Sequence, residues 1–77
     1  MGETFGQRLL RLREAAGLTP AGLSEAAGVS RMSVSRWERD AQHPPAAELA
    51  ALAAALGVSL AAFDGVRWPE KKNKNIP

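Results

Sequence analysis

Apolar residues recur along the chain with the spacing of short helices. Phe5, Leu9, Leu12 and Ala16 fall at i, i+4, i+7 and i+11, one narrow stripe of a helix over residues 3–16 that Gly17 ends. Thr19-Pro20 is a start signal, a hydroxyl cap followed by a proline suited to the first helical position. It opens a short helix that ends near Ala27, with Leu23 and either Ala26 or Ala27 turned inward and Gly28 closing it. Ser30 caps a third helix over residues 31–39. Asp40 to Pro45 reads as a loop, since consecutive prolines do not sit inside a helix. Leu49, Leu52, Ala53 and Leu56 mark a fourth helix over residues 46–56, and Gly57 ends it. Ser59 caps a last short helix through Leu60 and Phe63, which Gly65 terminates. The pattern predicts an all-α fold of five helices, with residues 1–66 as one small domain and residues 67–77 as a basic, flexible tail without periodicity.

Helix 3 separates by face. At about 100° per residue, Ser33, Val34 and Trp37 lie on one side, and Arg31, Met32, Ser35, Arg36 and Arg39 on the other. The outward set suits base edges: Arg donates a paired hydrogen bond to guanine, Ser donates or accepts, and Met covers a thymine methyl. Polar residues also face outward on any solvated helix, so the face alone does not decide. The preceding capped helix and Gly turn add weight, because two short helices joined this way form a helix-turn-helix.

Charge and residue inventory narrow the picture further. The formal charge of +2 is too small to argue for nucleic acid, but its distribution is uneven. Residues 1–66 carry Arg8, Arg11, Arg13, Arg31, Arg36 and Arg39 against seven acids, for a net −1, and residues 67–77 net +3. Every Arg of the body lies at or before position 39, so the front half is the half fit to face phosphates. With no cysteine and one histidine, the chain offers neither a disulfide framework nor a metal cluster nor a nucleophile–base pair; no cofactor, metal or enzymatic activity is expected. The most apolar stretch, residues 46–56, is too short to span a bilayer, and the absence of cysteine fits the reducing cytoplasm, so a cytoplasmic protein is expected.

From Phe5 to Phe63 the sequence resembles the Cro and phage-repressor (XRE-type) helix-turn-helix family. The resemblance is carried by Phe5-Gly6-Gln7-Arg8-Leu9, Leu12-Arg13-Glu14, Gly17-Leu18-Thr19, the run Leu23 to Ser30, Trp37-Glu38-Arg39, Pro44 and the run Leu52 to Leu60. It implies a lambda-repressor-like fold with the third helix in the major groove of double-stranded DNA, and usually two subunits on a palindromic site. By position, base reading falls on Arg31, Met32, Ser35 and Arg36, the outward arc already found. Backbone phosphates would be met at Thr19, Ser30, Ser33, Arg39 and Gln42. The family's ion pair between helix 1 and the end of helix 3 falls on Arg13 and Glu38; the alternative is a phosphate contact from Arg13 with Glu38 solvated. Leu60, Phe63 and Val66 stand where the family dimerises, although they could equally close the monomer core.

Three positions depart from the family pattern: Pro20 where Gln is common, Asp40 where Gly often stands, and Pro45 in place of a hydroxyl cap. Asp40 tolerates the left-handed conformation but places a negative charge near DNA. Trp37 is expected to pack, Trp68 to dock on the domain or a partner, Leu10 to be exposed, and His43 to do no more than touch phosphate from its loop. Together these features point to a sequence-specific transcriptional regulator acting as a repressor-like homodimer. The rival is an antitoxin or co-regulator that uses the same fold chiefly to hold a protein such as a toxin.

Overall fold

A computed structural model describes residues 2–68. Four α-helices and a closing 3₁₀ turn follow one another as α1 (Phe5–Ala15), α2 (Pro20–Ala27), α3 (Arg31–Glu38), α4 (Ala46–Leu56) and Leu60–Phe63. The fifth element is thus a 3₁₀ turn rather than an α-helix, and Ser59 precedes it without a side-chain cap. Every element contributes to one core: Phe5 and Leu9 from α1, Leu23 from α2, Val34 and Trp37 from α3, Leu52, Ala53 and Leu56 from α4, and Phe63 from the turn. α2 packs against both α3 and α4, while α1 crosses α3 and meets the 3₁₀ turn.

Local chemistry sets most of the boundaries. Thr19 Oγ1 accepts from the Gly22 N–H at 3.0 Å with Pro20 behind it, and Ser30 Oγ accepts from the Ser33 N–H at 3.0 Å. Each satisfies a first-turn donor that has no partner inside its helix. Gly28, at φ 72°, makes the left-handed turn between α2 and α3, and its N–H and that of Val29 donate to the Glu25 and Ser24 carbonyls. Ser24, which sequence reasoning passed over, is buried, with its hydroxyl donating to the Ala21 carbonyl at 2.8 Å.

Helix 1 starts two residues later than its hydrophobic pattern suggested. Thr4 is extended and forms a capping box: its Oγ1 accepts from the Gln7 N–H, and Gln7 Oε1 accepts from the Thr4 N–H. Ala16, counted in the apolar stripe, is the exposed residue just past the helix, and Leu10 is half-buried rather than exposed. The extended segment before α1 lies beside the end of the domain. Phe5 N–H donates to the Arg67 carbonyl at 2.8 Å, Arg67 N–H donates to the Glu3 carbonyl at 2.9 Å, and Thr4 and Arg67 form a parallel bridge. Trp68 stacks on Phe5 with ring centroids 4.5 Å apart, and the His43 ring stands edge-on to it at 6.1 Å. Arg67 and Trp68 are therefore held on the domain, with Trp68 docked on its own subunit. The remainder of the basic tail, with Lys71, Lys72 and Lys74, lies outside the described residues.

Of the two roles left open for Leu60, Phe63 and Val66, Phe63 and Val66 take that of closing the monomer core. Phe63 is buried against Phe5 at a centroid distance of 5.2 Å, and Val66 packs on the core. Of the three apolar candidates, Leu60 alone stays exposed, at 52%. A four-residue turn has too little periodicity to reveal which of its apolar side chains points inward.

Candidate nucleic-acid interface

α3 presents the face that its periodicity predicts. Val34 and Trp37 are buried and Ser33 is half-buried, while Arg31, Met32, Ser35, Arg36 and Arg39 are all exposed. Met32 is 61% exposed. Ser30 Oγ donates to Ser33 Oγ at 2.9 Å, which leaves the Ser33 proton free for an outside acceptor. Thr19 Oγ1 is occupied as an acceptor by Gly22, so its proton too is available, and Thr19 is exposed. Arg39 Nε donates to the Ser35 carbonyl at 3.3 Å, laying the side chain back along α3, and Gln42 is exposed in the loop.

The arginines divide sharply. Among the described residues, Glu3 bridges Arg8 at 2.6 Å and Arg11 at 2.9 Å, and Arg8 also donates to the Ala62 carbonyl. Arg13 is taken by Glu38. No described ion pair engages Arg31, Arg36 or Arg39. The cationic character expected of the whole front half is thereby concentrated on α3, because the extended segment before α1 brings Glu3 onto the arginines of the first helix.

Hydrogen bonds from Arg11 first and Arg8 second hold the Glu3 carboxyl at about 2, down from its ordinary 4.5. A carboxyl with a lowered folded-state value stabilises the fold fully above the unfolded value and loses that effect as pH falls through the folded one. The contribution of Glu3 is therefore expected to be complete above about pH 4.5 and gone near pH 2. Urea unfolding of the wild type and Glu3→Gln across pH 2–6 checks this; parallel stability curves for the two proteins would refute it.

Two contacts seat α3 on α1. Arg13 Nε donates to Glu38 Oε2 at 2.6 Å, its Nη1 donates to the Leu18 carbonyl at 2.8 Å, and the paired side chains are only 10% and 12% exposed. Of the two roles considered for Arg13, the structure thus places the ion pair. The second contact was not legible from sequence. Gly6 is buried against the end of α3, where a Cβ on it would lie 2.5 Å from the Glu38 carbonyl oxygen and 2.7 Å from that of Trp37. The Asp40 carboxylate accepts from the Gly6 N–H at 2.8 Å and from the Thr4 hydroxyl at 2.6 Å. Its negative charge is thus directed at the N-terminal end of α1, a favourable place for an anion. Among the described residues, no three His, Cys, Asp or Glu side chains converge as metal ligands would, and no helix is long and apolar enough to cross a membrane.

Comparisons with known proteins agree with this geometry. The sequence profile described as a helix-turn-helix domain matches residues 4–64. The immunity repressor protein of Bacillus phage phi105 is 39% identical over 62 residues, covering 80% of this chain and 43% of the repressor, so the chain spans under half the length of that relative. The restriction-modification controller protein C.AhdI from Aeromonas hydrophila superposes with a TM-score of 0.74 at 34% identity, covering 77% of this chain and 89% of its own. The P22 c2 repressor, solved in complex with a synthetic operator, superposes with a TM-score of 0.75 at 31% identity, covering 79% of this chain and 92% of its own.

Proposed function

Since this chain belongs to the helix-turn-helix family of Cro and phage-repressor type transcriptional regulators, we propose that it is a sequence-specific double-stranded DNA-binding regulator, a repressor-like homodimer that reads a palindromic operator through α3. The observation that carries the reading is the solvent face of α3: three arginines without an ion pair among the described residues, a serine and an exposed methionine, on a helix whose other face is locked into the core. Arg31, Met32, Ser35 and Arg36 read base edges. Thr19, Ser30, Ser33, Arg39 and Gln42 meet phosphates and set the register. Leu60, apolar and exposed, is the remaining candidate for the subunit contact. The reading assigns no catalysis and places the protein in the cytoplasm, where its operator would be.

Selection of binding sites from random duplex, together with the mass of the bound species, tests the proposal at once. A recovered palindrome bound by two copies supports it; retention of no duplex at low salt rejects it. Within that site, Arg36→Ala is expected to weaken specific binding by about 1–3 kcal/mol and to relax the preference at one base pair. An equal loss on every sequence would move Arg36 to a phosphate. Capture of a protein partner with no duplex discrimination would favour the antitoxin-like reading.

A further inference from the structure

All four α-helices end with the same two backbone hydrogen bonds, one donated by a residue in the left-handed conformation and one by its successor. Gly17, Gly28 and Gly57 occupy the left-handed position after α1, α2 and α4. After α3 it is held by Asp40, the one non-glycine residue at positive φ among the described residues, at 59°. Its N–H donates to the Trp37 carbonyl at 3.1 Å, and the Ala41 N–H donates to the Arg36 carbonyl at 2.9 Å. Glycine would take this conformation at lower cost. What the aspartate has in exchange is a side chain, and that side chain reaches across to α1. Oδ1 receives the Gly6 N–H, a first-turn donor with no partner inside its helix, and Oδ2 receives the hydroxyl of Thr4, the residue that caps α1.

We propose that Asp40 is a positioning residue for DNA reading, a latch that fixes the axis of α3 relative to α1. The proposal rests on the reading of α3 as the base-reading helix. Arg13 and Gly6 stand seven residues apart on α1, about 10 Å along its axis. The end of α3 is thus pinned at two separated points, by Glu38 at one and Asp40 at the other. A single contact at that end would leave α3 free to swing over α1 in any direction, whereas two contacts spaced along α1 leave only rotation about the line that joins them, which the buried Val34 and Trp37 oppose. Only Val34 and Trp37 of its eight residues are buried in the core, so the two contacts at its end add to a small packed surface. The latch therefore sets the angle at which Arg31, Ser35 and Arg36 meet base edges.

The test separates this role from that of an ordinary turn residue by the sign of its outcome. Asp40→Gly relieves the backbone, which favours the fold, and removes a negative charge, which favours binding to any duplex. Asp40→Asn tolerates the conformation and keeps an oxygen for the Gly6 N–H. Equilibrium binding of the full chain to its selected duplex and to a scrambled duplex is compared at one salt concentration, with circular dichroism confirming the fold. Asp40→Gly is expected to lose on the order of tenfold in the specific-to-scrambled ratio without losing affinity for the scrambled duplex, and Asp40→Asn to fall between it and the wild type. Amide exchange at Gly6 is expected to speed up in Asp40→Gly. A wild-type chain that discriminates, with an Asp40→Gly chain that discriminates as well or an unchanged Gly6 exchange rate, overturns the proposal alone. A wild-type chain that discriminates between no duplexes overturns the DNA reading, and the proposal with it. Should Asp40→Gly not hold its fold, Asp40→Asn carries the comparison, and an unaltered ratio there overturns the latch.

Discussion

Replacing Gly6 with alanine is expected to destabilise the protein by about 2–3 kcal/mol, although alanine is the better helix former. Two effects oppose one another. Removing a glycine from a helix contributes up to about 1 kcal/mol in favour of the mutant. Against it, the added methyl would sit 2.5 Å and 2.7 Å from two backbone carbonyl oxygens of α3 and 2.8 Å from Asp40 Oδ2. Real side chains do not approach so closely, and backbone atoms cannot swing aside as a flexible side chain can, so α3 must lift from α1. Overpacking of this kind costs about 1–3 kcal/mol or more, and here it also weakens the Asp40 and Thr4 hydrogen bonds. For a chain of this length the loss should appear as a fall in melting temperature on the order of 10–20 °C. Chemical denaturation decides: a Gly6→Ala protein as stable as the wild type would mean that the two helices do not meet as described.

Glu38→Ala is expected to cost about 3 kcal/mol, because it strands a guanidinium that is mostly out of water. Arg13 keeps one hydrogen bond, to the Leu18 carbonyl, which holds the loss toward the lower end of the range for a broken buried pair. Arg13→Met should cost a similar amount by leaving the carboxylate without its partner. The double replacement Arg13→Met/Glu38→Leu should cost less than either single change, since two apolar side chains of similar volume need no partners. Urea unfolding of the four proteins forms a double-mutant cycle. Additive losses would mean that the two charges act independently, and the pair would then be no more than a neighbourly contact.

The parts of the fold legible in sequence are those governed by local chemistry. Thr19-Pro20, Gly28 and Ser30 mark the ends of α2 and α3 because caps and left-handed turns depend on adjacent residues. The two faces of α3 follow from helical period, and Val34 and Trp37 are buried as it requires. The Arg13–Glu38 contact came from family resemblance, since no spacing rule brings residues of two different helices together. What stayed hidden depends on which backbone passes which. Gly6 looks like any helical glycine until the Glu38 carbonyl is placed beside it. Asp40 looks like a turn residue with a misplaced charge until the first turn of α1 receives that charge. Likewise Arg8 and Arg11 look free for phosphate, and Phe63 free for a partner subunit, until Glu3 and Phe5 arrive from the other end of the sequence.

The seam between Thr4 and Arg67 joins residues that are almost the whole described length apart. A string of helices is closed there into a ring, with one aromatic stack and two backbone hydrogen bonds as the fastening. The two sides of the seam depend on each other: peeling Arg67 away would strip the Phe5 N–H of its acceptor, and peeling Glu3 away would strip the Arg67 N–H of its own. The same seam leads directly into Thr4 and Gly6, which hold the Asp40 carboxylate, so opening it would also loosen the contact that seats α3.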